Sequence, residues 1–259
     1  MQDLAGRVAV VVGGGGGVGR GVAHGLASAG MHVIVADRVA ARAERAAAEI
    51  ARTVPDASGA VRSDSVDATD LSALEALRQE TVELYGKVDL VVCTVGAILQ
   101  RRIPEVSPAE WEWLWRTNVL THVNVVRAFL PELRRADEGH IVLTAAPAGL
   151  GVVPPTYQLG AYATVKHALL AYARHLREEM SSESIGVSLL CPTRIKGDLA
   201  ATSAAGHREA VPGGSPVGGE RSAGEQLDAP EVLGPIVTAA LLDGTFLVSN
   251  DPDLALPRT

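Results

Sequence analysis

Short apolar runs alternate with longer amphipathic stretches along the whole chain. The runs Arg7–Val12, His32–Asp37, Gly59–Asp64, Val88–Thr94, His140–Ala145, Gly186–Cys191 and Thr245–Ser249 are brief, Val-rich and almost continuously apolar. A strand covered on both faces of a parallel sheet has this pattern, whereas a half-exposed strand alternates polar with apolar. Between the runs, the spacing predicts helices near 18–29, 39–53, 70–86, 108–135, 161–182 and 230–242. Seven strands with helical crossovers predict an α/β fold, a doubly wound seven-stranded parallel sheet with helices on both faces and right-handed connections. Residues 200–229 break the rhythm, being rich in Gly, Ala, Ser and Pro. Too little chain follows them to form a second domain. We read 1–259 as a single domain in which a mobile loop near 197–226 lies over a ligand cleft; an idle surface loop is the alternative.

Composition narrows this picture. The chain has 259 residues, 47% of them hydrophobic, which suits one large α/β domain. Aromatics are only 3% against 27 glycines, so Ala, Val, Leu and Gly must fill a closely packed interior. Net charge is −7 and no basic stripe occurs, which speaks against a nucleic-acid partner. Cys93 and Cys191 both lie in apolar runs and read as buried free thiols, compatible with a reducing, cytoplasmic location. The start MQDLAGR lacks the charged-then-apolar pattern of a signal peptide, and no run of about 18 apolar residues exists to span a membrane. The seven His show no metal-ligand spacing, and no metal is expected.

The first strand runs into Gly13-Gly14-Gly15-Gly16-Gly17-Val18-Gly19, and a helix opens at about Val18. Glycine admits positive φ and lets the backbone approach a diphosphate, while a helix N-terminus supplies unpaired N–H groups and the positive end of a dipole. Five glycines alone are weak evidence. Their position between strand and helix, with Asp37 closing the next strand, strengthens it. Asp37 can accept from both hydroxyls of an adenosine ribose and would repel a 2′-phosphate, so NAD is expected over NADP. Arg38 is the counterargument, unless it is a solvated side chain at the start of a helix. Asp64-Ser65 closes the third strand, where a carboxylate could meet an adenine amino group or serve as a turn or cap.

Tyr162 and Lys166 are four residues apart in Ala161-Tyr162-Ala163-Thr164-Val165-Lys166 and share one helix face. A cation beside a phenol favours the phenolate and lowers its pKa from about 10, making Tyr162 a candidate acid or base near neutrality. Lys166 could also reach ribose hydroxyls.

Taken together, these motifs make the chain similar to the short-chain dehydrogenase/reductase family, a Rossmann fold, over essentially its whole length and most clearly from Gly13 to about Cys191. The resemblance implies cofactor contacts from Gly13, Gly16, Gly17, Val18, Gly19, Asp37, Arg38, Asp64, Ser65, Thr94, Gly96, Tyr162, Lys166, Pro192 and Ile195. It also implies that Asn118, in Arg116-Thr117-Asn118-Val119, holds a water linking Lys166 to solvent, and that the chain forms homodimers or homotetramers.

Several positions depart from the family's pattern. Its Thr before the first glycine is Val12; its Asn-Asn-Ala-Gly turn is Cys93-Thr94-Val95-Gly96; its Pro-Gly after strand six is Cys191-Pro192-Thr193; and its Thr near the nicotinamide amide falls at about Gly197. The catalytic Ser position is Ala146, in Leu143-Thr144-Ala145-Ala146-Pro147-Ala148-Gly149. Loss of one donor to a developing oxyanion costs about 2.7–4 kcal/mol in a comparable hydrolase site. Three explanations stand: an engineered Ser→Ala replacement, a natural variant in which Thr144 or Tyr157 substitutes, or cofactor binding without redox turnover.

The segment Pro147–Gly160 carries Val152, Val153, Pro154, Pro155, Tyr157 and Leu159 and no Arg or Lys, so an apolar cleft wall and an apolar secondary alcohol or ketone are expected. Arg194 and Lys196 weaken this inference if they face substrate rather than cofactor phosphate or solvent. Of Trp111, Trp113 and Trp115, at least one must reach the surface, since period-2 spacing spreads them around a helix. His167 reads as a surface or interface residue. An NAD-dependent alcohol dehydrogenase or ketone reductase leads; a lyase or isomerase using Tyr162, and a cofactor-binding sensor or inactive subunit, are the alternatives.

Overall fold

The computed structural model describes residues 1–54, 59–151, 154, 157–214 and 226–257. Its centre is one sheet of seven parallel strands: β1 (Val8–Val12), β2 (His32–Asp37), β3 (Val61–Ser65), β4 (Leu90–Cys93), β5 (His140–Thr144), β6 (Gly186–Leu190) and β7 (Leu247–Val248), in the order β3-β2-β1-β4-β5-β6-β7. The order reverses between β1 and β4, and such a switch point leaves a crevice at the carboxyl ends of the strands.

Helices α1 (Gly17–Ser28), α2 (Ala40–Thr53), α3 (Leu71–Tyr85), α4 (Pro108–Trp115), α5 (Thr121–Leu133), α6 (Gly160–Met180), α7 (Leu199–Ala210) and α8 (Leu233–Asp243) surround the sheet. Alternate residues of β1 serve opposite cores. Val8, Val10 and Val12 pack in the layer that holds Leu74, Phe129 and Leu169 of α3, α5 and α6. Ala9 and Val11 pack with Val22, Ala43 and Val237 of α1, α2 and α8. The apolar character of the inner strands follows from this double burial, whereas the edge strand β3, Val-Arg-Ser-Asp-Ser, is mostly polar and exposed. On the second face, α1 and α8 cross so closely that a Cβ on Gly25 would overlap the Cα of Gly234.

The expected strands are all present, with ends displaced by a residue or two. The helix expected over 108–135 is divided: between α4 and α5, Arg116–Leu120 makes one wider π turn. The loop expected near 197–226 requires a correction, because its first half is α7. The sequence LAATSAAGHREA is mostly good helix former, and it buries Ser203 and His207, four residues apart on one face. Residues 215–225 lie outside the described residues, as do Val152, Val153 and Pro155 of the expected cleft wall.

Candidate active site

A cleft of about 760 Å³ opens at the carboxyl ends of β1, β2, β4 and β5. Its floor begins with the glycine turn. Gly13 has φ +82°, and the N–H groups of Gly13 and Gly14 donate to Ala36 O at 2.8 and 2.9 Å, tying the turn to β2. A Cβ on Gly13 would stand 2.8 Å from Thr94 Oγ1, and one on Gly19 would overlap Gly13 O. Thr94 Oγ1 bonds Val12 O and Gly13 O at 3.1 and 3.0 Å, joining the ends of β1 and β4. The N-cap of α1 is Gly16, which makes no side-chain cap and has the Arg42 guanidinium beside it, and Gly16, Gly17 and Val18 line the cleft. Open N–H groups, absent side chains and a helix N-terminus fit a dinucleotide diphosphate.

Asp37 lines the cleft at the end of β2. Its Oδ2 accepts from Gly15 N at 3.1 Å and its Oδ1 from Val39 N at 3.0 Å. Arg38 also lines the cleft, as does Arg42, one turn further along, which the sequence reading missed. Arg38 meets Glu209 at 2.7 Å, and Arg42 holds the two carboxylate oxygens of Asp198. These acids lie over 150 residues downstream, so no local pattern announces the pairs.

Asp64 and Ser65 are corrected. Neither lines the cleft: the Asp64 carboxylate accepts from Ser65 N at 2.6 Å and faces a separate depression with Ile34 and Glu44. The chain turns inward one residue later, where Val66 N donates to Asp37 O at 3.1 Å, and Val66, Asp67, Ala68 and Thr69 line the cleft instead.

Tyr162 and Lys166 project from α6 into the cleft, both buried, with Lys166 Nζ 5.9 Å from the Tyr162 ring centroid. Lys166 Nζ donates to Thr144 O at 3.0 Å. Burial acts on the two groups in opposite senses. It pulls the Lys166 ammonium down to about 8 and pushes the Tyr162 phenol above its ordinary value. The expected lowering of the phenol by its neighbouring cation is therefore not met; desolvation by burial sets the direction.

Asn118 sits fully buried on the π turn and does not itself line the cleft. Its Nδ2 donates to Ala97 O and Leu114 O at 2.9 and 3.0 Å, and its Oδ1 accepts from Ala97 N at 3.1 Å. A Cβ on Gly96 would stand 3.2 Å from Asn118 Oδ1 and 3.3 Å from Lys166 Nζ. The glycine thus lets the segment after β4 lie directly against both groups.

Ala146 lines the cleft and packs with Ala148 and Tyr162. Two residues back, Thr144 also lines it; its hydroxyl is buried and has no hydrogen-bond partner among the described residues. Tyr157 is 47% exposed and lies outside the cleft. Pro192 and Ile195 line the cleft, joined by Arg194 at φ +46° and Lys196. Both cysteines are buried and free, with burial pushing the thiols up to about 12. Trp115 reaches the surface whereas Trp113 is buried, and His167 is exposed.

The described part of the expected apolar wall does not stand at the cleft. No described residue of Pro147–Gly160 lines the cleft. Ala109, Glu112, Trp113 and Arg116 form that side, with Leu199 and Thr202 of α7 facing them, so polar and apolar groups mix. Distances along the chain hid this, because α4 and α7 meet only through tertiary packing. Among the described residues no cluster of side chains is arranged to hold a metal ion, and no helix is long and apolar enough to cross a membrane.

Comparison with known proteins agrees with this geometry. Residues 7–208 match the family model described as short chain dehydrogenase. The chain is 33% identical over 198 residues to a 1-deoxy-11-beta-hydroxypentalenate dehydrogenase of Streptomyces exfoliatus, covering 75% of this chain and 69% of that protein. It is 28% identical over 207 residues to a fluoren-9-ol dehydrogenase of Terrabacter sp. (strain DBF63), covering 73% of this chain and 56% of the relative. A short-chain dehydrogenase/reductase from Burkholderia phymatum, solved in complex with NAD, superposes with a TM-score of 0.80 at 26% identity, over 97% of this chain and 91% of that one. The cleft at the switch point, the glycine turn and the Tyr162–Lys166 face therefore belong to a member of the short-chain dehydrogenase family, an oxidoreductase.

Proposed function

We propose that the chain is an NAD-dependent dehydrogenase that interconverts an apolar secondary alcohol and its ketone. The observation that carries the reading is that one cleft holds the glycine cradle, the Asp37 carboxylate and the Tyr162–Lys166 face together. Relatives named for a hydroxypentalenate and a fluorenol support a bulky secondary alcohol. Asp37 supports NAD over NADP.

A bound nicotinamide supplies or accepts the hydride. Tyr162 moves the proton at the substrate oxygen: as phenol it donates to the oxygen of a ketone under reduction, and as phenolate it accepts from an alcohol under oxidation. Lys166 holds positive charge beside it, offsetting the desolvation of the phenolate. Asn118 keeps the 97 backbone and the π turn in place and, as in the family, holds the water that leads from Lys166 to solvent. Ala146 occupies the family's Ser position and offers no donor. The buried, unpartnered hydroxyl of Thr144 takes over that hydrogen bond to the substrate oxygen. The alternatives, a non-redox lyase or isomerase and a cofactor-binding sensor, draw their support from Ala146 and from the altered Thr94-Val95-Gly96 turn.

The test is NADH formation across a panel of polycyclic secondary alcohols. Tyr162→Phe should lose at least about 10²-fold in kcat while still binding NADH. Ala146→Ser should raise kcat/KM by up to about 10²–10³-fold. Thr144→Val should lower it in the native background and matter less when combined with Ala146→Ser, which supplies a second donor. Unchanged turnover in Tyr162→Phe sinks the mechanism. The buried free thiols support a cytoplasmic location, and a homodimer or homotetramer is the expected assembly, to be checked by light scattering.

A further inference from the structure

The ends of α7 carry two acids that face the ribose side of the cleft. Asp198 stands at the N-cap and Glu209 in the last turn. Arg42 turns both guanidinium amino groups to Asp198, one of them at 3.1 Å, and its Nε lies 3.8 Å from Asp37. Arg38 meets Glu209 at 2.7 Å. A Cβ on Gly16 would stand 2.5 Å from Arg42 Nη2, so this guanidinium lies directly against the diphosphate turn. Asp37, Arg38, Arg42, Asp198 and Glu209 all line the same cleft.

Arg38 and Arg42 are the cations placed to receive a phosphate on the ribose edge beside Asp37, since a guanidinium fork matches phosphate bidentately. Both are already engaged by carboxylates. Such pairs are individually weak when half-exposed, so ion pairing by itself would not keep a dianion out. The acids are, however, held in place by the packing of α7 rather than by the arginines. The buried Ser203 accepts from Ile98 N at 2.9 Å through Oγ, and the buried His207 Nε2 lies 2.9 Å from Glu110 Oε1. Trp113 meets the His207 ring edge-on, with centroids 5.3 Å apart. These contacts fall between Asp198 and Glu209, so the helix presents both acids as a fixed pair.

We propose that Asp198 and Glu209 are cofactor-specificity residues: by occupying Arg42 and Arg38 they deny a 2′-phosphate its cations, and they reinforce the repulsion already exerted by Asp37. Discrimination against NADP then resides partly in a helix far from β2 in sequence. A 2′-phosphate can claim the two guanidinium groups only by displacing the ends of α7, which also forms one side of the substrate cleft. The inference rests on the dinucleotide reading made above.

The test is titration of NADH and NADPH by nicotinamide fluorescence, which needs no substrate. The wild-type chain should bind NADH and bind NADPH at least 100-fold more weakly. The double variant Asp198→Asn/Glu209→Gln should tighten NADPH by at least tenfold and leave NADH within threefold. Both side chains are at least half exposed, so the fold should tolerate the change. Adding Arg38→Ala and Arg42→Ala to that variant should remove the gain. A loosened α7 alone would keep it, so persistence of the gain overturns the proposal. An NADPH affinity unchanged in the double variant, with NADH still bound, also overturns it. A wild-type chain that prefers NADPH does the same. Binding of neither dinucleotide to the wild type brings down the dinucleotide reading itself, and the proposal with it.

Discussion

Lys166 is charged in its ordinary state, yet it is 2% exposed and its folded pKa is pulled down to about 8. The unfolded chain therefore binds more protons than the folded one between about pH 8 and the ordinary lysine value near 10.4, and in that window this group makes stability rise with pH. Below pH 8 both states are protonated and the buried charge opposes folding fully. Cys93, Cys191 and Tyr162, all shifted upward, pull the other way at alkaline pH, but they are common to both proteins in a comparison with Lys166→Met. Urea unfolding should show the wild type gaining on Lys166→Met from pH 8 to 10; a constant difference would mean that Lys166 is not depressed. At this scale the sequence spoke clearly about Tyr162 and Lys166, whose i,i+4 spacing is local. It misjudged the direction of the phenol's shift, because depth of burial is set by distant segments. Thr144 could be singled out by its position on the strand, but only packing shows that its hydroxyl has no partner among the described residues.

At the scale of elements, the π turn at Arg116–Leu120 is the device that ties the long helix to the strand ends. Asn118 bonds both main-chain groups of Ala97 and the carbonyl of Leu114. Asn118→Leu strands the two buried main-chain groups of Ala97 at about 1–3 kcal/mol each, with part of that recovered by relaxation. A loss of roughly 2–5 kcal/mol in chemical denaturation is expected, together with loss of turnover; near-wild-type stability would show that the side chain does not hold the 97 segment. Element boundaries were legible because strand and helix periods differ. The break inside 108–135 was not, since a π turn leaves the apolar pattern almost unchanged. The α7 segment was misread as loop for the opposite reason: small and polar residues look like loop until Ser203 and His207 find buried partners.

At the scale of the molecule, the sheet is a double-sided core built largely from small side chains, and its helices depend on close approach. Gly25→Ala places a methyl group into the α1–α8 crossing at Gly234. Overpacking of this kind typically destabilises by about 1–3 kcal/mol, with the midpoint of thermal unfolding falling while the cleft residues are untouched. An unshifted midpoint would mean that the two helices can part at no cost. The parallel sheet, its strand count, the phosphate turn and the acid at the end of β2 were determined by the sequence alone, because each rests on short-range periodicity or on a few consecutive residues. The cleft's true lining, the exclusion of Asp64 and Ser65, the pairing of Arg38 and Arg42 with α7 and the reversed shift of Tyr162 were decided only by tertiary structure. Those properties depend on which distant segments the fold brings within a few ångströms, and separation along a chain carries no record of that distance.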